Sequence, residues 1–498
     1  MVIFILIACF ILVLSLYLKR VYSYWKDRGI EYERPFPFIG GLSFIMRRSF
    51  SEYAYDLSVK YPRDYLGIYL GMRPALVVQT PQLARKVFSS EYDNFQDRHL
   101  YCHESDPMGS LNIFTVKNPL WKMLRYRLSP MFTSHRLRKI TELMNANATE
   151  LVKKVQRDFV EKKKHVNLKE IFSMYTSDTV AYSVFGIRVS ALSDQDSPLW
   201  HITNHMVKWT FYRGLEITFI FFLPALGALM RLKLFSKAAN DYIKQLYWKI
   251  VKDRQNHIKY DDSDLVNHLL KIKEQLELPP EADEDYADNI LLAQVAVFIL
   301  GSIETSSSVL SYSLHELAYH PDEQEKLYSE LNNAFLSSEK DYLNYNELLQ
   351  VDYLTACIHE TMRKFPLLPL IDRLCGQTCV LEDGLKIEKG VPVLVNVVAI
   401  HNNEKYYPEP EKWKPERFMT GNKQDNREFT FLPFGDGPRF CIGKRYGMMQ
   451  VRAALSQLIY NYKIEPVVPY KVKPDPHSVI LAPQDGLSVK FVPRRTEK

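Results

Sequence analysis

The decisive stretch is residues 434–443, FGDGPRFCIG, which holds one cysteine among three glycines, a proline and an arginine. A thiolate that binds a metal must be stabilised against protonation, and backbone N–H groups that point at the sulfur do this best where no side chain obstructs them. Gly435, Gly437 and Gly443 can adopt φ > 0 and let the backbone curl around Cys441. The stretch therefore predicts a loop that directs a thiolate at a metal, rather than a buried structural cysteine.

The remaining cysteines do not supply a zinc site. The chain contains six cysteines, and only Cys375 and Cys379 lie close together in sequence. They form no CxxC pair, and neither a second cysteine pair nor a histidine pair lies nearby to complete four ligands. A single thiolate with open space opposite it suits haem iron instead.

The loop resembles the haem-binding signature FxxGxRxCxG of the cytochrome P450 superfamily. The signature matches without a gap at Phe434, Gly437, Arg439, Cys441 and Gly443. The resemblance implies haem b (iron protoporphyrin IX) as the cofactor, with Cys441 as its iron ligand. It also implies a mainly α fold with small β-sheets, in which Phe434, Arg439 and Gly443 contribute to cofactor binding.

Two further elements of that superfamily follow in order. Residues 360–363, ETMR, supply ExxR, which on a helix places a carboxylate and a guanidinium one turn apart on the same face. Residues 415–418, PERF, resemble the element whose arginine joins that pair. By itself ExxR is a commonplace surface pair. The resemblance instead implies a buried network of Glu360, Arg363 and Arg417 that fixes the core beside the cysteine loop.

A tryptophan and three arginines are candidates for binding the haem propionates. Residues 121–125, WKMLR, match WxxxR, which puts its tryptophan and arginine on one helical face. Arginine is the side chain best suited to bind paired carboxylates. The resemblance therefore implies propionate contacts from Trp121, Arg125 and Arg439, with Arg373 as a further candidate.

The chain from residue 285 to residue 320 contains no proline and one glycine, and Pro321 follows it, so the pattern predicts one long helix. Residues 301–305, GSIET, resemble the oxygen-binding element AGxET, with Gly-Ser in place of Ala-Gly. The resemblance implies that Thr305 donates a proton to dioxygen and that Glu304 passes protons inward. Taken alone, serine and threonine in a helix more commonly bond back to its own carbonyls.

The N-terminus predicts a membrane anchor. Residues 2–18 are apolar and uncharged, two basic residues follow, and such a run is just long enough to cross a bilayer. No basic segment before the run and no cleavage pattern favours a signal peptide. We expect a transmembrane signal-anchor over residues 1–20, a basic and proline-rich hinge over residues 21–45, and a catalytic domain over residues 46–498. The basic flank places the catalytic domain on the cytosolic side, at the endoplasmic reticulum membrane.

Composition agrees with one large globular unit. A length of 498 residues would suggest two or three domains, but the motifs that must meet at one haem extend from Trp121 to Gly443. The net charge of +6 is small and dispersed and does not indicate a nucleic-acid partner. A second apolar stretch, residues 217–230, is too short to span a bilayer; burial in the core and insertion at the membrane interface both remain open.

The resemblance implies a haem-thiolate monooxygenase that inserts one oxygen atom from O2 into a lipophilic substrate by hydroxylation, epoxidation or dealkylation. Because the chain has no Rossmann GxGxxG or flavin module, electrons would come from NADPH through a separate NADPH–cytochrome P450 reductase, with cytochrome b5 as a second candidate donor. Residues 360–366 and 443–450 resemble the insect microsomal branch, which implies metabolism of foreign compounds or of endogenous lipids and hormones.

One alternative function is a haem-thiolate isomerase that rearranges lipid peroxides without O2 or a reductase. The Glu304–Thr305 pair argues against it, because such chemistry needs no proton delivery. The sequence leaves the substrate open. Apolar residues in five segments are expected to line its pocket, namely 101–115, 200–223, the first half of the long helix, 367–371 and 479–481.

Overall fold

The computed structural model describes the chain except for residues 43–48, 189, 194–196, 198, 201, 203–208, 256–263, 277–284, 382–383, 422–427 and 495–498. The predicted mainly α fold with small β-sheets is confirmed. The boundary predicted between residues 45 and 46 lies outside the described residues. The helices, in chain order, are α1 Val2–Val21, α2 Tyr24–Asp27, α3 Phe50–Lys60, α4 Pro81–Arg85, α5 Pro107–Ser110, α6 Leu120–Leu128, α7 Ser134–Val155, α8 Leu168–Phe185, α9 Phe211–Phe222, α10 Pro224–Leu229, α11 Lys237–Gln255, α12 Leu265–Lys273, α13 Tyr286–Tyr319, α14 Pro321–Ser337, α15 Tyr345–Gln350, α16 Asp352–Lys364, α17 Val397–His401 and α18 Lys444–Asn461.

The strands in the described part of the chain form three small sheets. The strands are β1 Tyr65–Leu70, β2 Arg73–Val78, β3 Val166–Asn167, β4 Leu370–Leu374, β5 Cys379–Val380, β6 Lys386–Ile387, β7 Pro392–Asn396, β8 Tyr462–Pro466 and β9 Ser488–Pro493. The largest sheet has the order β1-β2-β7-β4, in which only β2 and β7 pair in parallel. A second sheet has the order β3-β9-β8, and β5 pairs with β6 in a third. Strand β4 carries the arginine of the predicted propionate site, Arg373.

The long helix α13 runs through the centre of the molecule. It begins one residue after and ends one residue before the predicted limits, and most of its side chains are buried. Pro321 opens α14 directly behind it, because proline lacks the N–H that a continuing helix would need but is tolerated in a helix's first turn. Helices α8, α16 and α18 pack against α13. The middle of α13 therefore lies in the core and can contribute residues to an internal site.

The N-terminal segments differ in burial. Helix α1 buries none of its residues and is long and apolar enough to cross a membrane. The segment after it packs onto β1: Trp25 is buried and its Nε1 donates to the Ile68 carbonyl oxygen at 3.0 Å, and the Glu33 N–H donates to the Gly67 carbonyl at 2.9 Å. The first part of the predicted hinge is thus attached to the main sheet.

The second apolar stretch, residues 217–230, is divided between core and surface. Its first half lies in α9 and buries Ile217, Ile220 and Phe222. Helix α10 follows at Pro224 and exposes the apolar side chains near its end, with Leu229 80% exposed. Burial in the core therefore describes the first half of the stretch, and the break before Pro224 separates that half from an exposed helix. Insertion of the exposed half at a membrane interface stays a prediction.

A buried ion-pair network lies behind the cysteine loop. Arg363 on α16 donates from Nε and Nη2 to the two carboxylate oxygens of Glu360, both at 2.8 Å, and neither side chain is exposed. Arg417 lies 3.3 Å from the same carboxylate. The Lys414 N–H donates to it as well, at 2.9 Å. The network of Glu360, Arg363 and Arg417 that the ExxR and PERF motifs predicted is therefore present.

His401 connects this network to the cysteine loop. Its Nδ1 donates to the Arg363 carbonyl oxygen at 3.1 Å, and its Nε2 accepts from the Leu432 N–H at 2.9 Å. A neutral imidazole supplies this one donor and one acceptor, and burial, aided by the positive charge of Arg363, lowers the pKa of His401 to about 3. The backbone just before the loop is therefore held through a neutral histidine.

Glu360→Gln tests whether this network maintains the fold. The variant leaves the guanidinium of Arg363 buried without its counter-charge, and such losses typically cost about 3–5 kcal/mol of the free energy of unfolding. Glu465→Gln is the control, because Glu465 pairs with Lys490 at the surface and should cost about 1 kcal/mol or less. Urea-unfolding midpoints followed by tryptophan fluorescence measure both. Equal midpoints for the two variants would contradict the role assigned to Glu360.

Candidate active site

A cavity of about 300 Å³ lies between α13, α6, strand β4 and the cysteine loop. Apolar side chains form much of its wall, including Ile113, Phe114, Val297, Phe298, Leu367, Leu368 and Ile371. These come from three of the five segments expected to line the pocket. Among the described residues, no lining residue of this cavity comes from segments 200–223 or 479–481.

The cysteine loop closes one side of the cavity, and its backbone conformation shows why glycine is needed in it. The Cys441 N–H donates to the Phe434 carbonyl oxygen at 2.9 Å, which closes the loop. Gly435 and Gly437 adopt φ of 66° and 69°, and a Cβ on Gly437 would collide with the Phe88 carbonyl oxygen. Glycine is required at residue 437 for both reasons.

Gly443 does not adopt the positive φ that the sequence analysis allowed for it. Its φ is −83°, so it does not need the left-handed conformation, and it forms the N-cap of α18. A Cβ there would lie 3.9 Å from Cys441 Sγ. Its small size leaves the backbone of the first turn close to the sulfur.

Cys441 lines the cavity and is accessible from it. Burial within the protein raises the pKa of its thiol, and a hydrogen bond from the Gly443 backbone and the positive charge of Arg125 act in the opposite direction. Helix α18 begins three residues after the sulfur, and the positive end of a helix dipole also favours a thiolate. The loop therefore presents a sulfur whose charged form has both hydrogen-bonding and electrostatic support.

Trp121 and the three predicted arginines line the same cavity. The guanidinium of Arg439 lies 4.2 Å from the Trp121 ring centre, and its Nη2 donates to Asp97 at 2.8 Å. Arg373 is 1% exposed and donates from Nη1 to the Asp372 carbonyl oxygen. Burial lowers the pKa of Arg439 to about 10 and that of Arg373 to about 9. The structure thus brings together side chains that lie far apart in sequence.

Unused hydrogen-bond donors remain in this cluster. Within the described part of the chain, Nε and Nη1 of Arg439 and Nε of Arg373 are buried without a hydrogen-bond partner. Buried charged donors without partners are costly. An anionic ligand in the cavity would satisfy them, and carboxylates match arginine best.

Arg98 belongs to the cluster but carries no sequence motif. It lines the cavity, lies 3.0 Å from the Asp372 carboxylate and places its guanidinium 4.5 Å from the Phe114 ring centre. The sequence offers one signal, which is the DRHL run at residues 97–100, a basic residue between an acid and a histidine. That run is too common to identify a site without the fold.

Helix α13 contributes the remaining wall. Gly301, Ser302, Thr305 and Ser306 line the cavity, and the Thr305 hydroxyl donates to the Gly301 carbonyl oxygen at 2.6 Å. Glu304 is not among the lining residues; its Oε1 lies 2.8 Å from Lys169 Nζ on α8. The structure therefore places Thr305 at the cavity. Glu304, the preceding residue, lies on a different face of the helix, toward α8.

These residues fit haem. A thiolate source, a set of arginines with unsatisfied N–H groups and apolar walls meet in one cavity, and haem presents an iron centre, two carboxylates and an apolar ring. Cys441 would ligate the iron, and Arg98, Arg125, Arg373 and Arg439 would face the carboxylates. Across the described residues, no cluster of histidine, cysteine and acidic side chains offers an alternative metal site.

Comparison with known proteins agrees with this site. Residues 31–491 match the family model described as Cytochrome P450. The chain is 30% identical over 511 residues to cytochrome P450 6k1 of Blattella germanica, covering 98% of this chain and 96% of that protein. It is also 30% identical over 492 residues to the probable cytochrome P450 6w1 of Drosophila melanogaster, covering 93% of this chain and 92% of that protein.

Both the family model and these relatives extend over nearly the whole chain, including the cysteine loop, the ExxR helix and α13. The chain therefore belongs to the cytochrome P450 family, within its insect branch, and is a haem-dependent monooxygenase.

Proposed function

We propose that this monooxygenase binds haem b through Cys441 and inserts one atom of dioxygen into lipophilic substrates, with electrons from NADPH delivered by a separate NADPH–cytochrome P450 reductase. Cytochrome b5 is a second candidate electron donor. The observation that carries the proposal is one apolar cavity lined by the Cys441 loop, the arginine cluster and the Thr305 hydroxyl.

When bound, haem supplies the activation of dioxygen, because a thiolate ligand donates electron density to the iron and favours O–O cleavage. One oxygen atom enters the substrate and the other leaves as water, which takes two electrons and two protons. The protein must therefore fix the cofactor, exclude bulk water and deliver the protons.

Thr305 is the residue we propose for proton delivery at the cavity. In the structure its Oγ1 proton is directed at the Gly301 carbonyl oxygen. A hydroxyl rotates freely and can accept one proton while it gives another, so the same group can turn toward dioxygen. Glu304 is the proposed acid that resupplies Thr305.

The substrates that suit this cavity are apolar and uncharged. Its wall away from the arginines consists of Ile113, Phe114, Val297, Phe298 and their neighbours, and the arginines that line it would be neutralised by the propionates. A charged substrate would have no remaining counter-charge there. Foreign lipophilic compounds and endogenous lipids or hormones both meet this requirement, and we propose metabolism of such compounds as the biological role.

We further propose that α1 anchors the chain in the endoplasmic reticulum membrane in a single pass, with residues 46–498 as the catalytic domain on the cytosolic side. Lys19 and Arg20 at the end of α1 favour this orientation. Phe38, Leu229 and Met230 are exposed apolar side chains, and we propose that they contact the same membrane.

The central prediction concerns turnover. Wild-type protein supplied with reductase, NADPH and O2 should dealkylate an alkyl aryl ether to a fluorescent phenol, and omission of the reductase or of O2 should abolish the product. A peroxide isomerase would need neither. Cys441→Ser should abolish turnover and shift the Soret band of the reduced, carbon monoxide-treated protein away from its thiolate-type position. A variant that keeps that band would contradict ligation by Cys441.

A second prediction concerns the arginine missed by the motifs. Arg98→Leu should accelerate transfer of haem to an excess of an acceptor protein by about tenfold or more, because a hydrogen bond to a charged group contributes about 1.5–3 kcal/mol. Arg254→Leu is a matched control, because it breaks a similarly buried pair between Arg254 on α11 and Asp264 at the N-cap of α12, with 2.9 Å between nitrogen and oxygen. Equal haem-transfer rates for the two variants would count against a propionate contact from Arg98.

A third prediction concerns the membrane. Deletion of residues 2–21 should move the protein from the alkali-resistant to the alkali-extractable fraction of microsomes, because the membrane contact proposed for the remaining described residues is peripheral. Adding Leu229→Ser and Met230→Ser to that deletion should lower the residual binding to vesicles of neutral phospholipid further. Resistance to alkaline extraction without residues 2–21 would exclude α1 as the anchor.

A further inference from the structure

Two of the six cysteines, Cys375 and Cys379, lie on either side of the short segment that follows strand β4. All six cysteines are in the described part of the chain, and all are free thiols. Cys375 comes directly after β4 and is fully buried, whereas Cys379 begins β5 and is half-buried. The function proposed above uses neither sulfur.

Both cysteines pair through their backbones with one returning segment of the chain. The Cys375 N–H donates to the Val391 carbonyl oxygen at 3.0 Å, and the Gly390 N–H donates to the Cys375 carbonyl oxygen at 2.7 Å. Cys379 is the partner of Ile387 in the ladder between β5 and β6. Residues an even number of positions apart on an extended segment project to the same face, so this pairing places the two side chains on one side.

The two thiols interact directly. Cys375 Sγ lies 3.7 Å from the carbonyl oxygen of Ile387, the residue opposite Cys379, and 2.9 Å from the Gln377 carbonyl oxygen. Burial raises the pKa of Cys375 to about 12 and also raises the pKa of Cys379. A hydrogen bond between the two thiols adds to this effect at Cys375 and acts against it at Cys379. The buried thiol is therefore the donor, and the more exposed thiol is the acceptor.

This asymmetry is the one that disulfide formation requires. An oxidant reacts with the charged form of an accessible sulfur. Cys379 is the more accessible of the two sulfurs, and its charged form has the support of the other thiol. A sulfenic acid condenses with a neighbouring thiol to give a disulfide, and Cys375 is that neighbour.

We propose that Cys375 and Cys379 form a site of reversible oxidative modification, at which hydrogen peroxide converts the two thiols into an intrachain disulfide. Peroxide first transfers one oxygen atom to Cys379, which becomes a sulfenic acid, and the other oxygen leaves as water. The Cys375 sulfur then forms the S–S bond, and the sulfenic hydroxyl leaves with the Cys375 proton as a second water. The two sulfurs together lose two electrons, and one peroxide becomes two waters.

A disulfide of this kind is reversible and local. Two molecules of a thiol such as glutathione reduce it by thiol–disulfide exchange. Disulfides in proteins that face the cytosol are usually transient and respond to redox conditions, and the cytosolic side is the location proposed for the catalytic domain. The bond would close the turn behind β4, two residues after Arg373, without involving any side chain that lines the cavity.

The test uses a peptide that the sequence defines. Arg373 and Lys386 are the trypsin sites on either side, so both cysteines fall in one peptide, residues 374–386, which has no other cysteine. The full-length haem protein is treated with hydrogen peroxide, quenched with catalase, alkylated under denaturing conditions and digested. In most of the protein the peptide should be two hydrogens lighter and unalkylated, and dithiothreitol should restore two alkylatable thiols. Glutathione in the same solution reports the oxidant dose.

Cys375→Ala removes the thiol that condenses and keeps the one that reacts with peroxide. Dimedone, which traps sulfenic acids, should then label Cys379 about tenfold more than in the wild type, because no adjacent thiol consumes the intermediate. Cys102→Ala is the matched control, since Cys102 is also buried but lies outside the pair; it should form the disulfide in wild-type yield. If Cys375→Ala folds poorly, Cys379→Ser serves instead, and its peptide should keep one alkylatable thiol after peroxide.

The rate of disulfide formation should depend on pH. Because burial raises the pKa of Cys379, its charged fraction is small near neutral pH and grows about tenfold with each pH unit below the pKa. The rate should therefore increase about tenfold from about pH 7 to about pH 8. A rate that does not change over this range would contradict attack by the Cys379 sulfur.

Two further results would overturn the proposal. One is a wild-type peptide that keeps two alkylatable thiols after the glutathione in the same solution is oxidised. The other is dimedone labelling of Cys379 that is as strong in the wild type as in Cys375→Ala, since the Cys375 thiol would then not intercept the sulfenic acid. None of these measurements depends on turnover, so failure of the proposed monooxygenase function would leave them unchanged.

Discussion

The position of the cysteine loop depends on the buried ion pair between Glu360 and Arg363. The pair fixes the end of α16, and His401 carries that constraint to Leu432, just ahead of the loop. Because both charges are fully buried, the network costs desolvation energy and its value lies in geometry more than in net stability. A thiolate ligand needs such support, since its sulfur must face the cofactor along one direction.

In the arginine cluster, unlike in the Glu360–Arg363 pair, acidic side chains of the protein compensate only part of the positive charge. Four guanidiniums line the cavity, while the acidic side chains bound to them are Asp97 and Asp372. Burial, and after it the positive charge of Arg98, lowers the pKa of Arg373 to about 9. A dianionic cofactor would offset the excess positive charge of the cluster, so that haem binding and stability of the fold would be coupled.

Helix α13 divides the chemistry of the site between two faces. One face turns Gly301, Ser302 and Thr305 to the cavity, and the other holds Glu304 against Lys169. The separation keeps a charged group out of the apolar substrate cavity, where it would repel lipophilic substrates, yet leaves it one residue from the hydroxyl it would serve.

The sequence by itself determined the cysteine loop, the ExxR pair, the long helix and the N-terminal apolar run, because each depends on residues close together in the chain. Cys441 and its glycines share one loop, and Glu360 and Arg363 share one helical turn. Only the tertiary structure decided the parts played by Arg98, His401 and Lys169. Their partners are Asp372, Leu432 and Glu304. These partners lie on other elements, so the contacts cannot be predicted from the spacing of residues in the sequence. The backbone conformation of Gly443 and the direction of the Glu304 side chain were not predictable for the same reason. A motif gives the residue type and position, but packing between elements decides which way each group faces.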